Sequence, residues 1–321
     1  MNVYAAASTF LLTGMLSTQA LAERKYSDWE PAIRLAAVGG CDGLQSEFRD
    51  VAPTISKNGR SLYFASNRTG ILQIYVAQRA SRHAPWGLPI KLGEEINSPP
   101  DSLPVVNVNI PSLSRDGHWL FFNSDRPGGA GSTDIWVSYR ARVRDDLAWE
   151  TPMNLGPGVN TALVDGGANY FENKHGSAPQ LFFTRGTDIM VSELQPDGTF
   201  GPGIPVAGIN SPQSDQRPSM RFDGLELFFF SNRGGNNDIW VTTRESIDDP
   251  WSPPTKLGEQ VNTASSDITP HLSPDGLTLF FASNRPGPDA CGSEDLYMTT
   301  RTKLKDDGDQ REHEGEDEDD D

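Results

Sequence analysis

The sequence predicts an all-β fold: a five-bladed β-propeller of four-stranded antiparallel blades, closed by an N-terminal outer strand. Three observations predict it. An aromatic strand flanked by turn signals recurs five times. The recurrence has the length of a propeller blade, and each copy holds several short strands. The signature of a fourth strand is missing after the last copy and is found instead near the N-terminus.

The aromatic strand reads Ser61-Leu62-Tyr63-Phe64-Ala65-Ser66-Asn67-Arg68 and then Trp119-Leu120-Phe121-Phe122-Asn123-Ser124-Asp125-Arg126. A shorter copy is Gln180-Leu181-Phe182-Phe183-Thr184-Arg185, followed by Glu226 to Arg233 and Thr278 to Arg285. Before it lies a Pro-containing strand and a turn: Val51 to Ser56 with Asn58-Gly59, Pro111 to Ser114 with Asp116-Gly117, Pro218 to Arg221 with Asp223-Gly224, and Pro270 to Ser273 with Asp275-Gly276. Asn-Gly and Asp-Gly supply the positive φ of tight hairpins. Copy three departs, with Ala168-Asn169-Tyr170-Phe171 and a longer turn through His175-Gly176. After the aromatic strand come Gln73-Ile74-Tyr75-Val76, Asp134-Ile135-Trp136-Val137, Asp188-Ile189-Met190-Val191, Asp238-Ile239-Trp240-Val241 and Asp295-Leu296-Tyr297-Met298, rich in strand formers.

The fourth element is Trp86-x-x-Pro89-x-x-Leu92, repeated at Trp149/Pro152/Leu155 and Trp251/Pro254/Leu257, with Phe200 and Val206 in copy three. Proline fits an edge, which makes this the outermost strand. Copy five ends at Thr302 without it; Trp29-Glu30-Pro31-Ala32-Ile33-Arg34-Leu35 carries the same spacing and is expected to complete the last blade.

Residues 1–22 contain no charge, include an apolar run from Ala5 to Leu12 and end in Ala20-Leu21-Ala22. That pattern is expected of a signal peptide, with the propeller over 23–303. The apolar run is too short for a transmembrane span, and no other segment qualifies. Residues 304–321 are expected to be a disordered acidic tail: eleven acids and one Arg between Asp306 and Asp321 account for most of the net charge of −17. Without a basic stripe, nucleic acid is not an expected partner. The two cysteines, Cys41 and Cys291, fall on the same rim of blade five in an up-and-down blade, and a disulfide between them is expected in an exported chain.

Val261-Asn262-Thr263 to Asp267, Pro270 to Gly276 and Phe280 to Asn284-Arg285 together resemble the WD40-like repeat of the TolB type: Asn-Thr, Asp, Pro-x-Leu-Ser-Pro-Asp-Gly, an aromatic strand, Ser-Asn-Arg and Asp-Ile-Trp. The resemblance extends over about residues 29–303. It implies an exported propeller, periplasmic or secreted, that binds an envelope or extracellular protein or a glycan. TolB-type proteins have six blades and a preceding domain; here there are five copies and no room for that domain.

Arg68, Arg126, Arg233 and Arg285 are expected to pair locally with Asp134, Asp238 and Asp295, which begin the next strand of each blade. Asp50, Asp165, Asp215 and Asp267 occupy equivalent places before the innermost strand, with Val108 in copy two. Two readings stand for them: turn caps, or a ring of carboxylates at the channel rim that takes a cationic group or a cation such as calcium. Thr54, Ser112, Asn169, Ser219 and His271 share one strand position and alternate with apolar residues, which places them on the channel side as ligand-binding candidates. No Gly-x-Ser-x-Gly elbow is present, and His83, His118, His175, His271 and His313 lack metal-ligand spacing, so no catalytic or metal-binding set is assigned and no cofactor is required. The first reading is a monomeric, non-enzymatic binding or scaffolding module. The alternative is a carbohydrate-active enzyme, hydrolase or lyase, on the same fold.

Overall fold

The computed structural model describes residues 25–35, 41, 43–97, 106–172, 176–288 and 290–304. The expected signal peptide and nearly all of the acidic tail lie outside the described residues. Residues 28–302 form one compact unit; of a second, 1–27 and 303–321, the described part includes a bridge between Tyr26 and Lys303.

Five four-stranded antiparallel sheets make the propeller. Blade 1 holds β2 (Asp50–Ile55), β3 (Ser61–Ser66), β4 (Gln73–Gln78) and β5 (Ile90–Lys91). A single helical turn, α1 (Glu94–Asn97), leads to blade 2: β6 (Val108–Leu113), β7 (Trp119–Ser124), β8 (Asp134–Tyr139) and β9 (Met153–Asn154). Blade 3 is β10 (Asp165–Phe171), β11 (Gln180–Arg185), β12 (Asp188–Glu193) and β13 (Ile204–Pro205). Blade 4 is β14 (Asp215–Met220), β15 (Glu226–Ser231), β16 (Asp238–Thr243) and β17 (Thr255–Lys256). Blade 5 takes β18 (Asp267–Leu272), β19 (Thr278–Ser283) and β20 (Asp295–Thr300) from the C-terminus and β1 (Ile33–Arg34) from the N-terminus. Ile33 pairs with Met298 and Arg34 with Tyr297, the closure expected from the displaced Trp29–Leu35 signature. Cys41 and Cys291 form a disulfide with Cα atoms 5.3 Å apart, across 250 residues of sequence. No helix among the described residues is long and apolar enough to cross a membrane.

The alternation of a strand explains why the second strand needs three consecutive apolar residues. In blade 2, Leu120 and Phe122 pack toward blade 1 with Tyr63 and Trp149, while Phe121 packs toward blade 3 with Leu181 and Phe183. The same division recurs at Leu62-Tyr63-Phe64, Leu181-Phe182-Phe183, Leu227-Phe228-Phe229 and Leu279-Phe280-Phe281. The core is thus five seams between blades. Each fully buried Phe contributes about 1.5–3 kcal/mol to its seam.

The innermost strands carry a bulge in all five blades. In blade 1, Val51 faces Ala65 and Thr54 faces Tyr63, so Ala52 and Pro53 together oppose one residue. The first bulged residue is left-handed each time: φ is 54–57° at Ala52, Ile110, Arg217 and Thr269 and 62° at Gly167. The second is Pro53, Pro111, Ala168, Pro218 or Pro270, because a bulge makes no ladder bond that proline would break. In three blades the left-handed residue donates its N–H to a side chain of a neighbouring blade. Thr269 Oγ1 accepts the Ala52 N–H at 3.1 Å, Asn123 Oδ1 the Gly167 N–H at 2.9 Å, and Thr184 Oγ1 the Arg217 N–H at 2.9 Å.

Candidate ligand site in the central channel

Most of the repeated polar residues are consumed by architecture. The linker asparagine of each blade clamps the third strand of the blade before it. Asn262 Oδ1 accepts the Ile239 N–H at 2.7 Å, and its Nδ2 donates to the carbonyls of Ile239 and Leu257. Asn97, Asn160 and Asn210 repeat this on Ile74, Ile135 and Ile189, and Gln45 does so on Leu296 across the ring closure. A second latch joins third and fourth strands. Arg79, Arg140, Arg244 and Arg301 lie 4.2–4.6 Å from the rings of Trp86, Trp149, Trp251 and Trp29. Each also donates Nε to the carbonyl of its hairpin glycine, Gly59, Gly117, Gly224 or Gly276. Trp29 therefore serves blade 5 as the other tryptophans serve theirs.

The Ser-Asn-Arg arginines pair otherwise than the sequence suggested. Arg68 Nη2 meets Asp50 Oδ1 at 2.9 Å, Arg185 Nε meets Asp165 at 2.8 Å, and Arg233 and Arg285 meet Asp215 and Asp267 at 2.5 Å. The acids of the third strand do different work: Asp134 accepts from the Ala130 and Gly131 amides, Asp238 from Lys256 at 2.7 Å, and Asp295 from the Cys291 amide. The reason is reach: an arginine ending the second strand lies beside the start of the first, with which that strand pairs, as Asp215 opposite Ser231 shows.

The four inner acids are each 0% exposed. The other carboxylate oxygen of each accepts an N–H and a hydroxyl from Ser46, Thr161, Ser211 or Thr263. Each begins the innermost strand of its own blade and caps the loop that leads into it. In blade 2, where Val108 replaces the acid, Arg126 is buried and its pKa is pushed down to about 10 by desolvation, with Asp125 opposing. Among the described residues no three His, Cys, Asp or Glu side chains converge as metal ligands.

The channel itself is narrow, a cavity of about 30 Å³ whose lining includes Ser112, Asn169, Ser219 and His271. These residues also stitch neighbouring blades. Asn169 Oδ1 accepts the Met220 N–H at 3.1 Å and Ser219 Oγ the Leu272 N–H at 2.9 Å. Thr54 Oγ1 lies 3.4 Å from His271 Nε2, next to Leu113 of the following blade. Burial pushes the His271 pKa down to about 4, so the imidazole is neutral in the fold at neutral pH.

That shift gives a testable pH dependence. The unfolded chain takes up the His271 proton below about pH 6.5, the folded chain only near 4. The contribution is complete above 6.5 and is lost as pH falls, by about 3 kcal/mol at most. Denaturation midpoints of wild type and His271→Gln at pH 7 and 4.5 check this. The variant is expected to lose less stability between them, and an equal loss would disprove the assignment.

At the hairpin end of the channel the repeat breaks. The position two residues beyond the innermost-strand apolar residue is Lys57, Arg115, Glu172, Phe222 and Pro274 in blades 1 to 5, and all five line one depression of about 60 Å³ with Tyr170 and His271. The Arg115 guanidinium lies 4.9 Å from the Phe222 ring centre, spanning from blade 2 to blade 4. The Glu172 carboxyl is raised by partial burial and by Asp116, with Arg115 opposing. Tyr170 is pushed up to about 12 by burial, then by Glu172 and Asp116. A cation, an acid and aromatic faces thus converge at one mouth. The sequence signal for this set was the residue two beyond the apolar end of each inner strand, just before the hairpin turn, where the copies disagree.

The fold and this mouth define a five-bladed propeller with a polar, asymmetric channel entrance. No protein-family model matches the chain, and no curated protein matches its sequence. Solved structures do. The arabinanase of Bacillus subtilis aligns with a TM-score of 0.56 at 15% identity, over 77% of this chain and 92% of that one. An α-L-arabinofuranosidase from Podospora anserina, solved with cellotriose, aligns at 0.55 and 12% identity over 87% and 98%. TolB from Acinetobacter baumannii aligns at 0.44 and 15% identity over 81% and 56%. At these identities the likeness is one of fold. It supports a propeller and does not single out the TolB-type repeat family.

Proposed function

We propose that the protein is a binding propeller of the cell exterior or periplasm whose ligand is a glycan, held at the hairpin-end mouth of the channel. One observation carries this reading: five repeat-equivalent positions at the mouth hold Lys57, Arg115, Glu172, Phe222 and Pro274, while the arginine latches recur in four blades and the linker amide clamps in all five. Residues that serve a blade recur in every blade; a set that differs in each serves something that meets all five at once. Charged groups can hydrogen-bond sugar hydroxyls, and Phe222 and Tyr170 offer faces on which a ring can stack. The disulfide and the leader-like residues 1–22 agree with an extracytoplasmic location.

A second reading, a carbohydrate-active enzyme at the same mouth, is favoured by Glu172. A carboxyl raised above its ordinary range is suited to general-acid work, and the arabinan-directed neighbours share the five-bladed architecture. Hydrolysis by two carboxylates needs a second acid about 5–10 Å away. The nearest acid to which Glu172 couples is Asp116, whose Oδ1 is engaged by Ser114 and the His118 amide as a turn cap.

Titration calorimetry with arabinan and xylan oligosaccharides, alongside an assay for released reducing sugar, separates the two. For the binding reading, Arg115→Ala and Phe222→Ala are each expected to weaken binding at least tenfold without product release. Product release that is abolished by Glu172→Gln establishes the enzyme instead. Wild-type indifference to a broad glycan panel overturns both.

A further inference from the structure

We infer that the channel contains a second site, distinct from the hairpin-end mouth, in which the guanidinium of Arg217 binds a compact monoanion: a halide ion or a single carboxylate group. Among the described residues Arg217 is the only permanently charged one lining the channel cavity, with Ala52, Ile110, Gly167 and Thr269 at the equivalent positions of the other blades. Its backbone is engaged, with the N–H donated to Thr184 Oγ1. Its guanidinium is not: Nη1 is buried and has no hydrogen-bond partner.

Arg140 and Arg244 also bury an Nη2 without an acceptor, but the rest of each of those guanidiniums is held, whereas among the described residues no hydrogen bond or ion pair holds that of Arg217. Arg68, Arg185, Arg233 and Arg285 are neutralised by aspartates. Arg79, Arg140, Arg244 and Arg301 lie over tryptophans and hold glycine carbonyls. Arg217 has only the Phe230 ring, 5.7 Å from its guanidinium carbon, and a ring face satisfies no N–H. The charged groups that act on it are Arg49 and Glu294, and these pair with each other at 3.1 Å. Burial, and then Arg49, push its pKa down to about 9, with Glu294 opposing, so it is still cationic at neutral pH.

The surroundings are shaped to admit the side chain. Gly167 occupies the facing bulge, and a Cβ there would stand 3.0 Å from Arg217 Cγ. The left-handed backbone at Arg217 is not itself evidence of function, since all five blades share it. What is peculiar to blade 4 is a cation at that position whose buried Nη1 has no acceptor. A buried donor without an acceptor costs about 1–3 kcal/mol, more when charged, and an anion removes that cost. The cavity of about 30 Å³ has room for one small ion or one carboxylate group.

The test is thermal denaturation of the mature protein at fixed ionic strength, replacing sodium methanesulfonate with chloride, bromide or formate. A rise in midpoint that grows with the logarithm of anion concentration above Kd, reaching roughly 4–6 °C at a hundredfold excess, is expected. A response to halide alone marks a free-ion site, and a stronger response to formate marks a pocket for a ligand's carboxylate. Arg217→Gln is expected to abolish the rise. Should that variant fail to fold, bromide-soaked crystals of the wild type give a second readout, with anomalous density expected at hydrogen-bond distance from the guanidinium. No anion-dependent rise in the wild type at fixed ionic strength, a rise that survives in Arg217→Gln, or no bromide at Arg217 overturns the inference. None of these outcomes depends on glycan binding at the other mouth.

Discussion

Cys41→Ser is expected to lower stability by about 5 kcal/mol. The disulfide closes a loop of 250 residues, and by chain entropy so long a loop restricts the unfolded chain by that order. The location makes the loss visible. The ring closes through two residue pairs of β1, the Leu35 N–H to the Leu296 carbonyl at 2.9 Å, and the Gln45 clamp on Leu296. Cys41 lies between Leu35 and Gln45, so the bond ties both contacts to blade 5. Urea denaturation of Cys41→Ser, and of the wild type with and without reductant, measures the effect. A midpoint unchanged by both treatments would show that the closing strand and the clamp hold the ring unaided.

Asp146→Ala is expected to cost about 3–5 kcal/mol, the penalty for leaving a buried charge without its partner. Asp146 belongs to blade 2 but binds blade 1. Its carboxylate accepts from Ser61 Oγ at 2.6 Å, Tyr63 OH at 2.7 Å and Gln78 Nε2 at 2.6 Å, and from Arg140 Nη1 at 2.8 Å. The Arg140 side chain is wholly buried. Burial opposes ionisation of Asp146, yet the hydrogen bonds from Ser61, Gln78, Tyr63 and Arg140 outweigh it and hold its carboxyl below the usual range. Its contribution is therefore present at neutral pH and is lost as pH falls through the carboxylate range. The joint replacement Asp146→Leu with Arg140→Leu is expected to cost less than Asp146→Ala alone, because it removes both charges. Equal losses in the two variants would place the stabilisation in packing around Trp149 rather than in the ion pair.

The blades were legible in the sequence because each strand type carries its own mark: Asn-Gly or Asp-Gly before the second strand, Asp-Ile-Trp at the third and Trp-x-x-Pro at the fourth. Trp29 announced the closing strand for the same reason, and Cys41 and Cys291 followed once the blade order was known. Partner choice was less legible. Arg68 precedes the third strand in sequence but lies beside Asp50 in space, because antiparallel pairing brings the start of the first strand against the end of the second. The bulge at Ala52 was hidden, since a left-handed residue other than glycine leaves no compositional trace. Asp146 was missed because its partners Ser61, Tyr63 and Gln78 lie in another blade, and Arg217 because its importance lies in a missing partner. The mouth residues Lys57 and Glu172 stood in plain view as differences between copies, but attention to what repeats passes over them.

The division of each aromatic strand between two seams also has a consequence in time. Blade 1 packs Leu62 and Phe64 against Phe280 and Leu296, residues made near the end of translation. At about 5–20 residues per second, the first blade emerges roughly 10–50 s before its partner exists. During that interval Leu44, Val51 and Phe64 lack the blade 5 half of their seam, and β1 has no strand to join. A nascent chain of this kind needs something to shield its leading edge until the last blade arrives. An exported chain kept unfolded until translocation meets both ends of its ring on the same side of the membrane at nearly the same moment.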